Sequence, residues 1–287
     1  PPDFSYIFQN DDGRIIFAIP FQDGFTLIGT TDQEFQGDPA TAHATEAEIE
    51  YLCRSASAYL REPVTPAMVV WSYAGVRPLY DEHASAAQEA SRDYVLKLDA
   101  PDAMAPLLSV FGGKLTTYRR LALAALAQLE PKLPGISGLP AGWTGRTALP
   151  GGDFPMNGFR AQTVAATERF PFLAKPLLNR LLRAYGTLLP RVLGDATHVN
   201  DLGRPFGAGL YEAELRYLVQ AEWARTAADV IWRRSKLGLL LSAEQVAAIE
   251  AAMAAMLRDC AAAPTGVPTG VPTGVSTGGR QAPSAEA

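Results

Sequence analysis

Two short stretches of the sequence carry the residues best suited to bind an anion or the polar edge of a cofactor ring. Residues 71–80 form a mostly apolar run whose charged residue is Arg77. Residues 111–118 contain a glycine pair followed by Lys114 and two threonines. An arginine can bind a phosphate or carboxylate through two parallel hydrogen bonds, and a lysine adds a full positive charge. These residue types at the ends of apolar runs predict an anion-binding site.

The second stretch also predicts a helix start that could hold a cofactor. Gly112 and Gly113 let the backbone come close to a ligand. We predict a helix from about Lys114, and the first N–H groups of a helix lack partners and carry partial positive charge. The segment through Leu115 and Thr116 could stabilise an anion, or the negative charge that a reduced flavin gathers on its pyrimidine edge. The alternative is an ordinary glycine turn, because the chain has neither a Walker lysine pattern nor GxGxxG.

Arg77 and Asp32 could each have a structural role and not bind a ligand. Arg77 precedes a proline, so its side chain leaves a fixed backbone, but it could form a salt bridge with Asp81 or Asp93 instead of binding a ligand. Thr30 and Asp32 follow a strand and offer a hydroxyl and a carboxylate to a ligand. Asp32 could equally close an Asx-turn.

The histidines and cysteines do not form a second site. His43, His83 and His198 are far apart in sequence and lack metal-ligand spacing, so no metal is predicted. Cys53 and Cys260 belong to no CxxC pattern, which favours ordinary thiols in a reducing compartment.

Composition limits the class of protein. The chain has 287 residues, of which 48% are hydrophobic and 19% charged, with a net charge of −5, so it can bury a sizeable core and has no broad basic patch for nucleic acid. No apolar run is long enough to cross a bilayer. The chain opens on prolines 1 and 2 without a methionine or a lead-in, which predicts a fragment of a longer protein.

The elements that must position the two stretches form an α+β unit over residues 1–130. Residues 4–34 predict a β-meander, and Thr45 with Glu48 predicts a capping box at a helix start. The continuous apolar pattern at 107–111 predicts a strand buried on both faces. Strands are predicted at 4–9, 14–19 (ended by Pro20), 25–30, 68–80, 93–98 and 107–111, and helices from 45 and over 114–129.

The rest of the chain predicts an all-α domain. Residues 131–158 are rich in proline and glycine and predict a linker, and residues 263–287 predict a disordered tail. The glutamates of residues 211–223 are predicted to lie on a solvated helix face. Helices are predicted at 159–169, 173–185, 209–222, 225–238 and 243–258, the last with a capping box at Ser242 and Gln245 and a core stripe that includes Met253 and Met256.

Several longer stretches together resemble a known family. The chain closely resembles the C-terminal half of the FAD-dependent, quinone-linked glycerol-3-phosphate dehydrogenases, from about residue 4 to 258. The stretches that carry the resemblance are 6–10, 14–20, 28–32, 71–79, 109–119, 201–203, 211–218 and 231–238.

The resemblance implies a fold and a reaction. The fold would be part of an FAD-binding Rossmann-like domain with an antiparallel substrate-domain sheet, followed by the all-α domain. FAD would take a hydride from C2 of sn-glycerol 3-phosphate. Arg77 would grip the substrate phosphate, Lys114 would lie beside flavin and substrate, Thr30 would face the substrate pocket, and residues 113–116 would form the helix start beneath the flavin pyrimidine edge.

The resemblance also implies partners and leaves alternatives. Electrons would pass to a quinone. The protein would be cytoplasmic, with a possible peripheral contact on the inner membrane. It could form a homodimer. The family's GxGxxG half is absent from this chain, so we expect the chain alone neither to hold FAD tightly nor to turn over. One alternative is another flavin oxidoreductase, in which Arg77 grips the carboxylate of an amine or amino-acid substrate. Another is a helical interaction module at 150–262.

Overall fold

The computed structural model describes residues 4–22, 24–80, 93–101, 104–133 and 142–262. Within these ranges the chain is a mixed protein, with small antiparallel sheets in its first part and a helical region in its second. The predictions for His83, for a salt bridge to Asp81, for the side chain of Cys260 and for the 263–287 tail lie outside the described residues.

The predicted β-meander is confirmed. Its strands are β1 (Tyr6–Gln9), β2 (Ile15–Phe21) and β3 (Phe25–Gly29), joined in the antiparallel order β1-β2-β3. A turn at residues 10–13 joins the first two strands, with Gly13 at φ 79°. The prediction that Pro20 ends the second strand is wrong, because Pro20 pairs with Thr26 near the strand end. Because Pro20 lies near the end of the strand, its missing backbone N–H removes only one hydrogen-bond donor from the pairing of the two strands.

The first helix packs on this sheet as its sequence predicts. Helix α1 spans Glu46–Ser57, and both hydrogen bonds of the capping box between Thr45 and Glu48 are present. Cys53 is buried on the helix face that contacts the sheet, which confirms it as a core residue. Because Ile16 and Ala18 alternate on β2 and are also buried, the helix and sheet share a small core.

Two predictions about the middle of the first part are wrong. Residues 69–80 contain no strand, and a 3₁₀ turn occupies Pro66–Met68. An apolar run becomes a strand only when it pairs with another strand, and no ladder forms here among the described residues. Strand β5 (Leu107–Gly112) pairs only with β4 (Tyr94–Asp99) and is not buried on both faces, since Leu107 is 63% exposed.

The helix after β5 begins later than predicted. A 3₁₀ turn at Leu115–Thr117 precedes α2, which spans Tyr118–Leu129. The Lys114 N–H donates to Thr117 Oγ1 at 3.3 Å, and this hydroxyl donates back to the Lys114 carbonyl at 3.1 Å. The local side-chain hydrogen bonds favour the tighter turn at the helix start.

The second part holds the largest core of the described residues. Its helices are α3 (Phe159–Arg169), α4 (Lys175–Tyr185), α5 (Leu189–Leu193), α6 (Glu212–Ala221) and α7 (Ala243–Ala262). The capping box of Ser242 and Gln245 is confirmed by their reciprocal hydrogen bonds. Met253 is buried and Met256 packs against the core, as predicted.

Three features of the second part differ from the sequence prediction. The helix predicted at 209–222 begins only at Glu212, because β6 (Pro205–Gly207) and β7 (Leu210–Tyr211) form a hairpin before it. The segment 225–238 contains a π-helix at Asp229–Arg234 and not a long α-helix. Helix α5 was not predicted.

The glutamate at the centre of α6 is also placed differently from the prediction. Glu214 is buried, and Arg180 contacts both of its carboxylate oxygens, at 2.9 and 2.6 Å. Tyr185 donates a further hydrogen bond to Oε1 at 2.8 Å. The prediction of a solvated glutamate face is therefore wrong at this residue, because a cation 34 positions away meets it in the core.

Part of the predicted linker contacts the helical part. The Thr187 N–H donates to the Gly151 carbonyl at 3.1 Å, at the end of α4. The division of the chain into a domain at 1–130, a linker at 131–158, a domain at 159–262 and a tail stays a prediction.

Among the described helices, none combines the length and apolarity required to span a bilayer.

Candidate functional site

A large cleft lies between the meander, the start of α1 and the segment before β4. Its volume is about 1930 Å³, above the roughly 300–1,000 Å³ of an ordinary small-molecule site. Thr30, Asp32 and Arg77 line it, and Leu239 of the helical part contributes to its wall. Two of the three predicted catalytic residues are thus brought to one cavity.

Arg77 meets Asp32 inside this cleft. Arg77 Nη1 lies 2.6 Å from Asp32 Oδ2, and each side chain is about half exposed. The contact is a salt bridge, as the structural alternative for Arg77 required, and its partner is Asp32, which that alternative did not name. A single contact uses one of the five N–H donors of a guanidinium, whereas a bidentate phosphate contact needs two more.

The segment that carries Asp32 is anchored to α1. Thr31 Oγ1 donates to Glu48 Oε1 at 2.7 Å, while Glu48 Oε2 accepts from the Thr45 N–H at 2.9 Å. The hydrogen bond from the Thr45 backbone and that from the Thr31 hydroxyl hold the pKa of Glu48 below its usual value. Glu48 therefore stays ionised and fixes the chain immediately before Asp32.

The glycine pair adjoins this region through the backbone. Gly112 and Gly113 have φ values of 67° and 95°. A Cβ atom on Gly112 would stand 2.8 Å from the Asp93 carbonyl oxygen and 3.8 Å from that of Pro78. The space beside Gly112 is filled by protein, so glycine is required there for packing as well as for its positive φ.

Lys114 and the residues after it do not line the cleft of Arg77. Lys114 Nζ lies 3.6 Å from Asp93 Oδ1, and the residue is exposed. Leu115 and Thr116 are exposed as well. The two stretches predicted to bind ligands, residues 71–80 and 111–118, therefore meet at Pro78 and Gly112. In this arrangement they do not line one cavity.

An aromatic stack was missed by the sequence analysis. The rings of Trp71 and Trp232 lie 4.9 Å apart with an interplanar angle of 10°, and Tyr73 stacks on Trp71 at 4.7 Å. Lys236 Nζ lies 5.7 Å from the centre of the Trp71 ring. The aromatic residues are visible in the sequence, but no local pattern could pair residues so far apart. This stack joins the π-helix of the second part to the segment that leads to Arg77.

Of the described histidines, His43 lines the cleft of Arg77 and His198 does not. His43 Nδ1 is 2.9 Å from the Thr41 carbonyl oxygen, and His198 Nδ1 is 4.0 Å from Asp201 Oδ2. In the described ranges, no group of three or more His, Cys, Asp or Glu side chains could hold a metal ion.

Comparisons with known proteins identify two family matches. Residues 1–119 match the model of the FAD dependent oxidoreductase family. Residues 143–264 match the model for the C-terminal domain of alpha-glycerophosphate oxidase.

Curated relatives match most of the chain. It is 47% identical to a glycerol-3-phosphate dehydrogenase of Pseudomonas aeruginosa over 84% of this chain and 46% of that protein. It is 46% identical to the aerobic glycerol-3-phosphate dehydrogenase of Escherichia coli K12, over 84% and 47%. It is 38% identical to a D-erythritol 1-phosphate dehydrogenase of Brucella abortus, over 86% and 48%. The chain spans about half the length of these relatives.

Proposed function

We propose that this chain, whose two parts match the FAD dependent oxidoreductase family and the C-terminal domain of alpha-glycerophosphate oxidase, forms part of an enzyme that oxidises sn-glycerol 3-phosphate to dihydroxyacetone phosphate. The observation that carries the proposal is Arg77 in the large cleft, whose lining also includes Thr30. The relatives named above act on phosphorylated polyols. A guanidinium in a cleft suits the phosphate that these substrates share.

Arg77 binds the substrate phosphate in this proposal. Its Nη1 keeps the contact with Asp32, and the guanidinium has further N–H donors for a bidentate contact with phosphate oxygens. Thr30 lines the same cleft, and its hydroxyl, which donates to the Thr31 carbonyl at 2.7 Å, can accept a hydrogen bond from the polyol. These contacts fix the substrate by its charged end, so that its reacting carbon is held in one place.

The glycine turn and the helix start fit the polar edge of FAD. Residues 114–116 are exposed, so a planar ring can approach their backbone. The N–H groups at the start of the 3₁₀ turn and α2, together with Lys114, provide donors and positive charge for an anionic edge. When bound, FAD supplies the acceptor for the hydride. In this proposal Gly112, Gly113, Lys114, Leu115 and Thr116 form the contact surface for the cofactor.

The experiment that tests this function replaces Arg77 in the natural full-length enzyme that carries the chain. Arg77→Ala is expected to raise KM for glycerol 3-phosphate by a factor that corresponds to roughly 2–5 kcal/mol. Because Arg77 is about half exposed, the lower end of that range is expected. Arg54→Ala, which removes an exposed arginine on α1 outside the cleft, is the control. An unchanged KM in Arg77→Ala would contradict the phosphate role.

Substrate competition separates this function from its alternatives. The second candidate substrate is a longer polyol phosphate, because one relative is named for erythritol 1-phosphate. The full-length enzyme should be assayed on glycerol 3-phosphate, erythritol 1-phosphate and sarcosine. A preference for sarcosine would favour the amine or amino-acid oxidoreductase. The quinone acceptor, the peripheral contact with the inner membrane and the homodimer stay predictions that rest on the resemblance.

A further inference from the structure

We propose that Asp32 is a specificity-determining residue that limits the affinity of Arg77 for small anions, and that Glu48 positions it through Thr31. The inference deepens the proposed function and rests on it. It assigns a role in anion binding to the negative charge that contacts Arg77 and is held in place by a helix.

The first observation is the position of the Asp32 carboxylate. It touches the guanidinium at 2.6 Å and lines the same cleft. A ligand anion that binds Arg77 therefore comes close to a second negative charge, and like charges repel. The charge of Arg77 is partly neutralised, so charge attraction alone holds a small anion weakly. A substrate that also contacts the cleft through its polyol gains affinity that inorganic phosphate lacks.

The second observation is the chain of hydrogen bonds that holds Asp32. Glu48 is fixed by the capping box of α1, with Thr45 Oγ1 at 2.8 Å from its Oε2. Its other oxygen accepts from Thr31 at 2.7 Å. Thr31 directly precedes Asp32, so the start of a rigid 12-residue helix sets the position of the carboxylate. This connection gives the capping residue Glu48 a role in substrate binding.

The charge test uses Asp32→Asn in the natural full-length enzyme. The amide keeps an oxygen that can accept from Arg77 but removes the negative charge. Inorganic phosphate is the probe, measured as a competitive inhibitor of glycerol 3-phosphate oxidation and by calorimetric titration. We expect the inhibition constant to fall about two- to fivefold, the scale of an exposed ion pair. An unchanged or raised constant would overturn the role of Asp32.

The positioning test uses Thr31→Val and Thr31→Ser. Valine removes the hydroxyl that Glu48 accepts, while serine keeps it. We expect Thr31→Val to lower the phosphate inhibition constant about twofold, in the same direction as Asp32→Asn and with little change in kcat, and Thr31→Ser to keep the wild-type value. Ser242→Ala, which loses a cap hydrogen bond at the start of α7 and is not a lining residue of the cleft, controls for a general loss of stability. Equal phosphate binding in Thr31→Val and Thr31→Ser would overturn the role of Glu48.

The titration separates failure of this inference from failure of the proposed function. If the wild-type enzyme does not oxidise glycerol 3-phosphate, the proposed function fails by that result alone. Phosphate binding measured by heat still compares Asp32→Asn with wild type, because it requires no turnover. Tighter binding in Asp32→Asn then supports the control of Arg77 by Asp32, and equal binding refutes it.

Discussion

Replacing Glu214 by alanine is expected to destabilise the helical part more than a surface ion pair could. Arg180 donates to both carboxylate oxygens, and its Nη2 also donates to the Gly209 carbonyl at 2.7 Å. The Tyr185 hydroxyl donates to the same carboxylate. Burial and the Glu214 charge raise the pKa of Tyr185, so the phenol stays protonated and remains a donor. One carboxylate therefore satisfies two buried partners.

The magnitude follows from what the substitution leaves behind. Glu214 is 4% exposed and Arg180 25%, so Glu214→Ala leaves a largely buried cation and a buried hydroxyl without their acceptor. Breaking a buried pair from one side costs about 3–5 kcal/mol. The partial exposure of Arg180 favours about 3 kcal/mol. Arg216→Ala is the control, because it removes an exposed pair with Glu212 on the same helix, worth about 0.3–0.5 kcal/mol.

Urea unfolding of the chain, followed by far-ultraviolet circular dichroism, measures both effects. With a slope of about 1–3 kcal/mol per molar urea, a loss of 3 kcal/mol lowers the midpoint by roughly 1–3 M. A triple replacement, Glu214→Leu with Arg180→Met and Tyr185→Phe, should recover most of the loss, because an apolar set of similar volume needs no pairing. A loss below about 1 kcal/mol in Glu214→Ala would refute the claim that the pair is buried.

Two further predictions concern stability. Gly112→Ala should cost about 2 kcal/mol or more in thermal unfolding, because its φ of 67° and the Asp93 carbonyl 2.8 Å away both oppose a Cβ; Gly75→Ala, whose Cβ would meet nothing within 4 Å, should stay near wild type. Hydrogen bonds from the backbone N–H groups of Arg225 and Thr226 lower the pKa of Asp229 from 3.8 to about 2. The stabilisation from Asp229 is therefore present above about pH 4 and lost as the pH falls toward 2. Asp229→Asn should flatten the pH dependence of the melting temperature in this window, and an unchanged slope would contradict the assignment.

Local patterns predicted the elements that depend on neighbours in sequence. The turn at residues 10–13, the capping box of Thr45 and Glu48, and that of Ser242 and Gln245 are each formed by residues within four positions of each other. Such hydrogen bonds are determined by residue type and spacing, so they can be predicted without knowledge of the fold.

Partners that are distant in sequence account for the errors. The segment 69–80 has the apolar residues of a strand, but a strand also requires a ladder that its own sequence does not specify. Glu214 has the helical spacing of a surface residue, yet Arg180 lies 34 positions away. The Asp32 partner of Arg77 was missed for the same reason, because Asp32 precedes it by 45 positions. The site residues were chosen by chemistry, whereas their pairing required the structure.

The stack of Trp71 on Trp232 gives the protein an optical signal of its own. Two indole rings that lie nearly parallel at 4.9 Å couple their strong electronic transitions, which produces a paired band in far-ultraviolet circular dichroism. The band depends on contact between the cleft segment and the π-helix, so it should disappear when the helical part detaches, even if each part stays folded. Trp232→Phe provides the reference spectrum. Ligand titrations can therefore be followed without a label. A change in this band would show that a ligand bound in the cleft alters the contact between Trp71 and Trp232.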